Sequence, residues 1–213
     1  MTFLVIDTCV WLDIAKDPHM QKLLGVLDDL IMENEVTLVV PQVTIDEFNR
    51  NKTRIIEETR KSIVGNVKRV KEVIAKFGEE NHKEIMINQL NDLTHKAPLM
   101  GEFAAQGSVK WVDGHLNKAR VAVSTDEILL KAASRAVLKR APFHLNKNSM
   151  ADAIIIEIYA QLVSTEKSKG ARFAFVTSNK EDFSESNGNK KLPHDHLKPL
   201  FSARKSKIGR AHV

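Results

Sequence analysis

Three short apolar stretches of the chain, at residues 3–6, 36–40 and 172–177, predict β-strands. Each is a nearly unbroken apolar run rather than an alternation of apolar and polar residues, which is typical of strands buried on both faces of a parallel sheet. Segments with helical spacing of apolar residues separate the three runs. Strands that alternate with helices predict an α/β fold, a three-layer α/β/α sandwich around a mostly parallel central sheet.

Apolar residues that recur three, four or seven positions apart predict the helices. They are expected at 8–16, 19–33, 44–76 (as one long helix or two), 81–94, 115–122, 124–140 and 149–163. Pro98, Gly101 and Gly107 predict an irregular connection over 97–107. We interpret residues 1–213 as a single domain with a helical insertion at approximately 50–122 and a basic, frayed tail at approximately 184–213.

The composition predicts a cytoplasmic protein with a sizeable buried core. The 213 residues are 43% hydrophobic, yet no apolar run reaches the ~20 residues needed to cross a bilayer. Residues 1–15 lack a basic segment and contain Asp7 and Asp13, unlike a signal peptide. The single cysteine, Cys9, excludes an internal disulfide framework, and we interpret it as a small buried hydrophobe in a reducing compartment.

The positive charge is concentrated in two segments, residues 50–76 and the tail from Lys190 to Arg210. The formal net charge is +5, and residues 50–76 contain nine basic side chains: Arg50, Lys52, Arg54, Arg60, Lys61, Lys68, Arg69, Lys71 and Lys76. A solvated helix face and an electrostatic contact with nucleic acid explain this cluster equally well on the sequence alone.

Side chains with oxygen ligands lie next to each predicted strand. Asp7 ends the first apolar run, Glu47 lies in the first turn of the helix after the second, and Asp152 begins the helix before the third. Three more candidates follow the third run: Thr177, Asn179 and Asp182. Because the carboxyl ends of parallel strands form the functional edge of such sheets, we expect these side chains to meet there.

Two explanations of these acids remain open. Thr44 with Glu47, and Ser149 with Asp152, match the capping-box pattern, and Asp7 can cap the helix that follows it. Capping, however, does not explain why all of these acids are expected at the same edge of the sheet. Carboxylates gathered at one edge repel each other unless a cation lies between them, and oxygen ligands suit Mg²⁺ or Mn²⁺. Such ions support phosphodiester hydrolysis.

Four segments, in this order, resemble the motifs of PIN-domain nucleases: FLVIDTCVWLD, VPQVTIDEF, NKNSMADAIIIEI and FVTSNKEDF. The resemblance covers about residues 1–183 and is to the longer bacterial type, which has extra helices between the second and third motifs. It implies a three-layer α/β/α fold and Mg²⁺- or Mn²⁺-dependent cleavage of single-stranded RNA, or of DNA. By position, Asp7, Glu47 and Asp152 match the family's metal-binding acids, and Thr177 matches a hydroxyl residue that orients water or a ligand.

One departure from the family's pattern lies in the last motif. The family often has aspartate two residues after the threonine, where this chain has Asn179. Asn179 offers a neutral oxygen and Asp182 lies one helical turn further on, so both are candidate metal ligands at a site with less negative charge. The departure keeps an alternative open, namely a catalytically inactive PIN-like scaffold that binds nucleic acid or protein.

The resemblance also implies partners. Arg50, Lys52 and Arg54 come directly after Glu47 and are candidate contacts to the backbone of a nucleic acid, with single-stranded RNA favoured. Many relatives are toxins held by an inhibitory protein, and others act in defence or RNA processing. An inhibitory protein partner and a homo-oligomer are therefore further expectations, and no membrane contact is expected.

Five further residues are weaker candidates for the site. Asp13 and Asp46 are predicted to point away from the neighbouring acids on their own helices. His194 and His196 are interpreted as loop residues, because no third ligand converges on them in the sequence. Trp11 is expected in the core, because it has helical spacing from apolar neighbours.

Overall fold

The computed structural model describes residues 1–17, 19–145, 147–185, 188–202 and 205–210. Its strands are β1 (Thr2–Ile6), β2 (Val36–Pro41), β3 (Arg120–Ala122), β4 (Arg172–Thr177) and β5 (Ser206–Arg210). They form one sheet in the order β3-β2-β1-β4-β5, and every pair of neighbours is parallel. Helices cover both faces of this sheet, so the predicted α/β/α sandwich is confirmed.

The helices are α1 (Thr8–Lys16), α2 (Lys22–Met32), α3 (Gln42–Phe77), α4 (Glu80–Lys118), α5 (Asp126–Val137), α6 (Met150–Thr165) and α7 (Lys180–Phe183), followed by a 3-10 turn at Lys198–Leu200. The helices predicted at 8–16, 19–33, 124–140 and 149–163 are confirmed within a few residues, and the segment 44–76 belongs to one continuous helix. None of the helices in the described ranges is long and apolar enough to span a bilayer.

Two apolar clusters hold the helices to the sheet. On one face, Trp11 of α1 and Phe48 of α3 are fully buried in a cluster that includes Ile6 of β1. On the other face, Tyr159 of α6 packs against Phe175 of β4, with ring centroids 5.5 Å apart. β1 serves both clusters, because consecutive strand residues point to opposite faces. The expected core position of Trp11 is confirmed.

The irregular connection predicted over 97–107 is wrong, because α4 continues through Pro98. Proline in a helix removes one hydrogen bond and disfavours the turn before it. Packing against α3 outweighs this cost: Ala97, Gly101 and Ala105 are buried on the α3 side. A Cβ at Gly101 would lie 3.0 Å from the Cα of Arg60, so glycine permits the close approach of the two backbones.

Two further predictions are wrong, because the segments concerned contain the two edge strands of the sheet. The helix predicted at 115–122 ends at Lys118, and Arg120–Ala122 pairs with β2 as β3. The tail predicted to fray contains β5, which pairs with β4 along its whole length. Ser206 of β5 is buried, and its hydroxyl donates to the carbonyl of Leu200 at 2.7 Å and lies 2.6 Å from the hydroxyl of Tyr159.

The two long helices form a hairpin that extends away from the sheet. The fully buried residues of α3 all lie between Thr44 and Ile55, and those of α4 all lie between Ala97 and Leu116. Residues 60–96, which we call the arm, are all described, and none is fully buried. The arm is therefore a pair of antiparallel helices that pack on each other.

Candidate functional site

Asp7 lies at the centre of the carboxyl edge of the sheet. It follows β1 directly, its backbone N–H donates to the carbonyl of Val176 on β4 at 2.9 Å, and its side chain is 1% exposed. The carboxylate accepts hydrogen bonds from the Thr177 hydroxyl at 2.7 Å and the Cys9 thiol at 3.0 Å. Asp7 has the N-cap position of α1 but makes no side-chain capping bond, so capping does not explain its presence.

Thr177 ends β4 and fixes the orientation of Asp7. Its hydroxyl is fully buried, donates to Asp7 and accepts the backbone N–H of Asn179 at 2.9 Å. The hydroxyl donates its single proton to one partner and accepts from the other, so its orientation is fixed. The predicted contact between the first and last motifs is therefore present.

Asp152 and Glu47 lie close to Asp7, and the charges of neighbouring acids affect the pKa values of both Asp7 and Asp152. The pKa of Asp152 is raised to about 8, chiefly by burial and then by the negative charges of Asp7, Asp182 and Glu47. The pKa of Asp7 is also raised, chiefly by burial, with the charge of Glu47 adding to the effect. Acids from four separate segments thus meet at one edge of the sheet and repel each other.

The competing capping-box explanation fails at both positions where the sequence allowed it. α3 begins at Gln42, so Thr44 lies inside the helix, and its buried hydroxyl has no hydrogen-bond partner among the described residues. Ser149 is the N-cap of α6, but its side chain makes no capping bond. Glu47 and Asp152 are therefore free of the reciprocal contacts that a capping box requires.

The last motif is organised by Asn179 and Asp182. Asn179 caps α7, its oxygen accepting the backbone N–H of Asp182 at 3.2 Å, while its amide donates to the Asp182 carboxylate at 2.6 Å. Lys147, which sequence reasoning missed, also contacts that carboxylate, at 2.7 Å. Asp182 is fully buried, and its Oδ1 has no hydrogen-bond partner among the described residues.

Cys9 has a different role from the one predicted, because it is part of the site. Its thiol donates to Asp7 and lies 3.6 Å from the Thr177 hydroxyl. Burial, and then the charge of Asp7, raise the pKa of Cys9 to about 12, so the thiol remains protonated and can donate. Its place two residues after Asp7, in the first turn of α1, is the signal that could have revealed this contact. Asp13 also reaches the motif, accepting from the Ser178 hydroxyl at 2.7 Å.

The three basic residues predicted to contact nucleic acid have different surroundings. Arg50 is exposed on α3, one turn after Glu47. Lys52 pairs with Asp113 of α4 at 2.7 Å, and Arg54 lies 3.7 Å from Glu58 on its own helix. Lys52 therefore joins the two long helices, whereas Arg50 is presented to solvent beside the acids.

The histidines interpreted as loop residues gain a third neighbour. The ring of His144 lies 4.4 Å from that of His194, which lies 4.7 Å from that of His196. Burial, and then the neighbouring imidazoles, lower the pKa of His194. His196 accepts the backbone N–H of Ala141 at 3.1 Å, so the cluster ties the segment before α6 to the segment after α7.

Protein contacts hold the carboxylates of Asp7 and Asp182. In the described part of the chain, no three His, Cys, Asp or Glu side chains are already arranged around a common metal position. The chemistry of the edge nevertheless fits a hard divalent ion: the acids supply oxygen ligands, burial and mutual repulsion raise the pKa values of Asp7 and Asp152, and the buried Oδ1 of Asp182 has no hydrogen-bond partner in the described part of the chain. A cation between them would compensate this repulsion.

The fold and the clustered acids define an α/β protein with an acidic site at the carboxyl edge of its sheet. A model of the PIN domain family matches residues 4–183, which is most of the chain. The chain therefore belongs to the PIN domain family, whose members are generally nucleases. No curated protein and no solved structure matches the chain.

Proposed function

We propose that this protein is a Mg²⁺- or Mn²⁺-dependent endoribonuclease that hydrolyses phosphodiester bonds of single-stranded RNA. The observation that supports the proposal most directly is the convergence of Asp7, Glu47, Asp152 and Asp182 at one buried edge, where burial and then the neighbouring negative charges raise the pKa of Asp152 to about 8. A protein that used this edge only as a structural element would gain stability from neutral side chains there. Acids maintained at such a cost indicate a site that binds a cation.

In this proposal Asp7 and Asp152 are the principal ligands, and Glu47 is a further ligand or the group that orients the attacking water. When bound, the ion supplies activation of that water and stabilisation of the leaving oxygen. Thr177 is a positioning residue, because its hydroxyl holds one oxygen of Asp7 at 2.7 Å. The Cys9 thiol donates to the same oxygen, which leaves the other oxygen of Asp7 for a ligand.

Asn179 and Asp182 bind a second ion weakly in this scheme. The oxygen of Asn179 already accepts the backbone N–H of Asp182, and Lys147 already neutralises the Asp182 carboxylate. A second ion would have to displace Lys147, whose ammonium group is itself a competing cation. We therefore expect one strongly bound ion and one weakly bound ion.

The substrate is expected to enter along α3. Arg50 is exposed one turn beyond Glu47 and makes no ion pair with another described residue, so it can contact a phosphate without losing one. Lys52 and Arg54 extend the positive potential along the same helix while remaining in their ion pairs. The charge of this helix favours a polyanion over a neutral substrate.

The proposal is tested by incubating the protein with Mn²⁺ and a panel of single-stranded and structured RNA and DNA. We expect cleavage of single-stranded RNA that depends on Mn²⁺ and is abolished by Asp7→Asn. Asp46→Asn, an exposed aspartate on α3 one residue before Glu47, is the matched control and should remain active. Calorimetry with Mn²⁺ should show binding that Asp7→Asn removes.

The scaffold alternative makes the opposite prediction for both measurements. If the wild-type protein leaves the whole panel intact and takes up no Mn²⁺ stoichiometrically, the nuclease proposal is wrong. Nucleic-acid binding without metal uptake would then assign the protein to the inactive class.

A further inference from the structure

The ion pair between Lys147 and Asp182 joins an exposed cation to a buried acid. The Nζ of Lys147 lies 2.7 Å from Oδ2 of Asp182, and the side chain of Lys147 is 46% exposed, whereas that of Asp182 is 0% exposed. When this pair opens, the ammonium group returns to water, but the carboxylate is left as an uncompensated charge in a buried environment. Asp182 therefore requires a cation, and Lys147 is a cation that can leave.

The Asp182 carboxylate has room for a further ligand. Its Oδ2 contacts Lys147 and accepts from the amide of Asn179 at 2.6 Å, whereas its buried Oδ1 has no hydrogen-bond partner among the described residues. Buried polar atoms in a purely structural contact are normally satisfied. The side chain of Asp182 also lies within hydrogen-bonding reach of Asp152. Two carboxylates thus meet at the position that the single charge of Lys147 now compensates.

The backbone around Lys147 is held by local contacts. The backbone N–H of Lys147 donates to the carbonyl of Leu145 at 2.8 Å, and the side chain of Asn148 accepts from the backbone N–H of Met150 at 3.3 Å. Both contacts join residues that are two positions apart. Lys147 can therefore change its partner without disturbing a helix or a strand.

The formal charges of the site link the number of ions to the presence of a phosphate. Four acids of the edge carry four negative charges when all are ionised: Asp7, Glu47, Asp152 and Asp182. One divalent ion together with Lys147 leaves one negative charge, whereas two divalent ions together with Lys147 leave one positive charge. A phosphodiester adds one negative charge, so two ions and Lys147 then balance the site. The same phosphate offers the ammonium group a new partner in place of Asp182.

We propose that Lys147 couples the binding of nucleic acid to the binding of a second divalent ion. In the free protein Lys147 stays on Asp182 and holds the place of that ion. When a phosphate of the nucleic acid binds, Lys147 moves its ammonium group from Asp182 to the phosphate, and Asp182 becomes a ligand. The site is then completed only when substrate is present. This inference rests on the proposed metal-dependent function of the same edge.

Counting bound Mn²⁺ with and without an oligonucleotide tests the coupling. Electron paramagnetic resonance of free Mn²⁺ reports the number of ions bound, and the probe is a single-stranded phosphorothioate RNA, which resists hydrolysis. At a Mn²⁺ concentration that saturates only the first position, we expect the wild type to bind one ion alone and two ions with the probe. A methylphosphonate oligonucleotide of the same sequence has no backbone charge and should leave the count at one.

Variants of Lys147 test whether its charge controls the second ion. Lys147→Gln should bind two ions without an oligonucleotide, because the competing cation is absent. Its affinity for the second ion should rise by roughly 5- to 150-fold, the usual range of coupling between two sites. Lys147→Arg keeps the charge and should bind one ion. Lys180→Gln is the matched control and should also bind one ion, because Lys180 is exposed two residues before Asp182 and has no ion pair with another described residue.

An ion pair with only a structural role gives a different result. Lys147→Gln would then lose stability in urea with no change in the number of bound ions, and the inference would be overturned. Circular dichroism shows whether this variant folds, and the comparison of the two oligonucleotides on the wild type does not depend on any variant.

The remaining outcomes separate this inference from the nuclease proposal. Two ions bound to the wild type without nucleic acid, or a count that the methylphosphonate also raises, would overturn the role of Lys147 and leave the nuclease proposal standing. Uptake of no Mn²⁺ in any of these conditions would overturn both.

Discussion

The substitution Asp152→Asn should stabilise the metal-free protein. The pKa of Asp152 is about 8 in the fold and 3.8 in a free side chain, and each pKa unit corresponds to about 1.36 kcal/mol. At pH 7 the unfolded chain has Asp152 ionised, and folding must protonate it or bury its charge. The difference between pH 7 and 3.8 sets this cost at about 4 kcal/mol, which asparagine does not incur.

The pH dependence of this stability difference follows from the raised pKa of Asp152. Between pH 3.8 and about 8 the folded protein binds a proton at Asp152 that the unfolded chain releases, so the contribution of this group to stability falls as pH rises. The advantage of Asp152→Asn should therefore shrink from about 4 kcal/mol at pH 7 to about 2 kcal/mol at pH 5.

Urea unfolding with EDTA measures this difference, and a gain of about 4 kcal/mol should raise the melting temperature by roughly 10 °C. Mn²⁺ should then stabilise the wild type and have little effect on the variant, because the variant has lost a ligand. Asp46→Asn, on the exposed side of α3, should change stability little in either condition. If Asp152→Asn destabilises the metal-free protein at pH 7, the acids do not repel each other and the metal proposal loses its physical basis.

Two other predictions use contacts of single side chains. Arg50→Glu should weaken RNA binding and reduce the salt dependence of affinity by about one phosphate contact, without a change in melting temperature. Lys52→Glu should instead cost roughly 1 kcal/mol of stability, because it breaks the 2.7 Å pair with Asp113. Equal losses of stability in the two variants would show that Arg50 is structural. Tyr159→Phe should cost about 1 kcal/mol in urea unfolding, because it removes the hydroxyl that lies 2.6 Å from Ser206, and an unchanged midpoint would show that this contact does not hold β5.

The central strands could be predicted from the sequence, whereas the edge strands could not. β1, β2 and β4 are flanked on both sides and read as unbroken apolar runs. β3 has three residues and β5 has the sequence SKIGR, so neither has an apolar pattern of its own. Their pairing depends on the neighbouring strand, which local sequence does not report.

The acids of the site were predictable for a related reason. Asp7, Glu47 and Asp152 lie next to elements with strong patterns, so the topology of a parallel sheet brings them to one edge. The contacts of Lys147 with Asp182, and of Cys9 with Thr177, join positions 35 and 168 residues apart. Such contacts depend on how distant segments come together in the fold, and no periodic pattern in the sequence encodes them.

β5 has a consequence for how the chain can be shortened. The match to the family model ends at residue 183, whereas β5 begins at Ser206. Cutting the chain at the end of that match would leave β4 as an exposed edge strand. Its unpaired peptide groups beside Thr177 could then pair with a strand of another molecule. A fragment that retains every proposed ligand would thus be prone to aggregation, and its inactivity would reveal nothing about the chemistry of the acids.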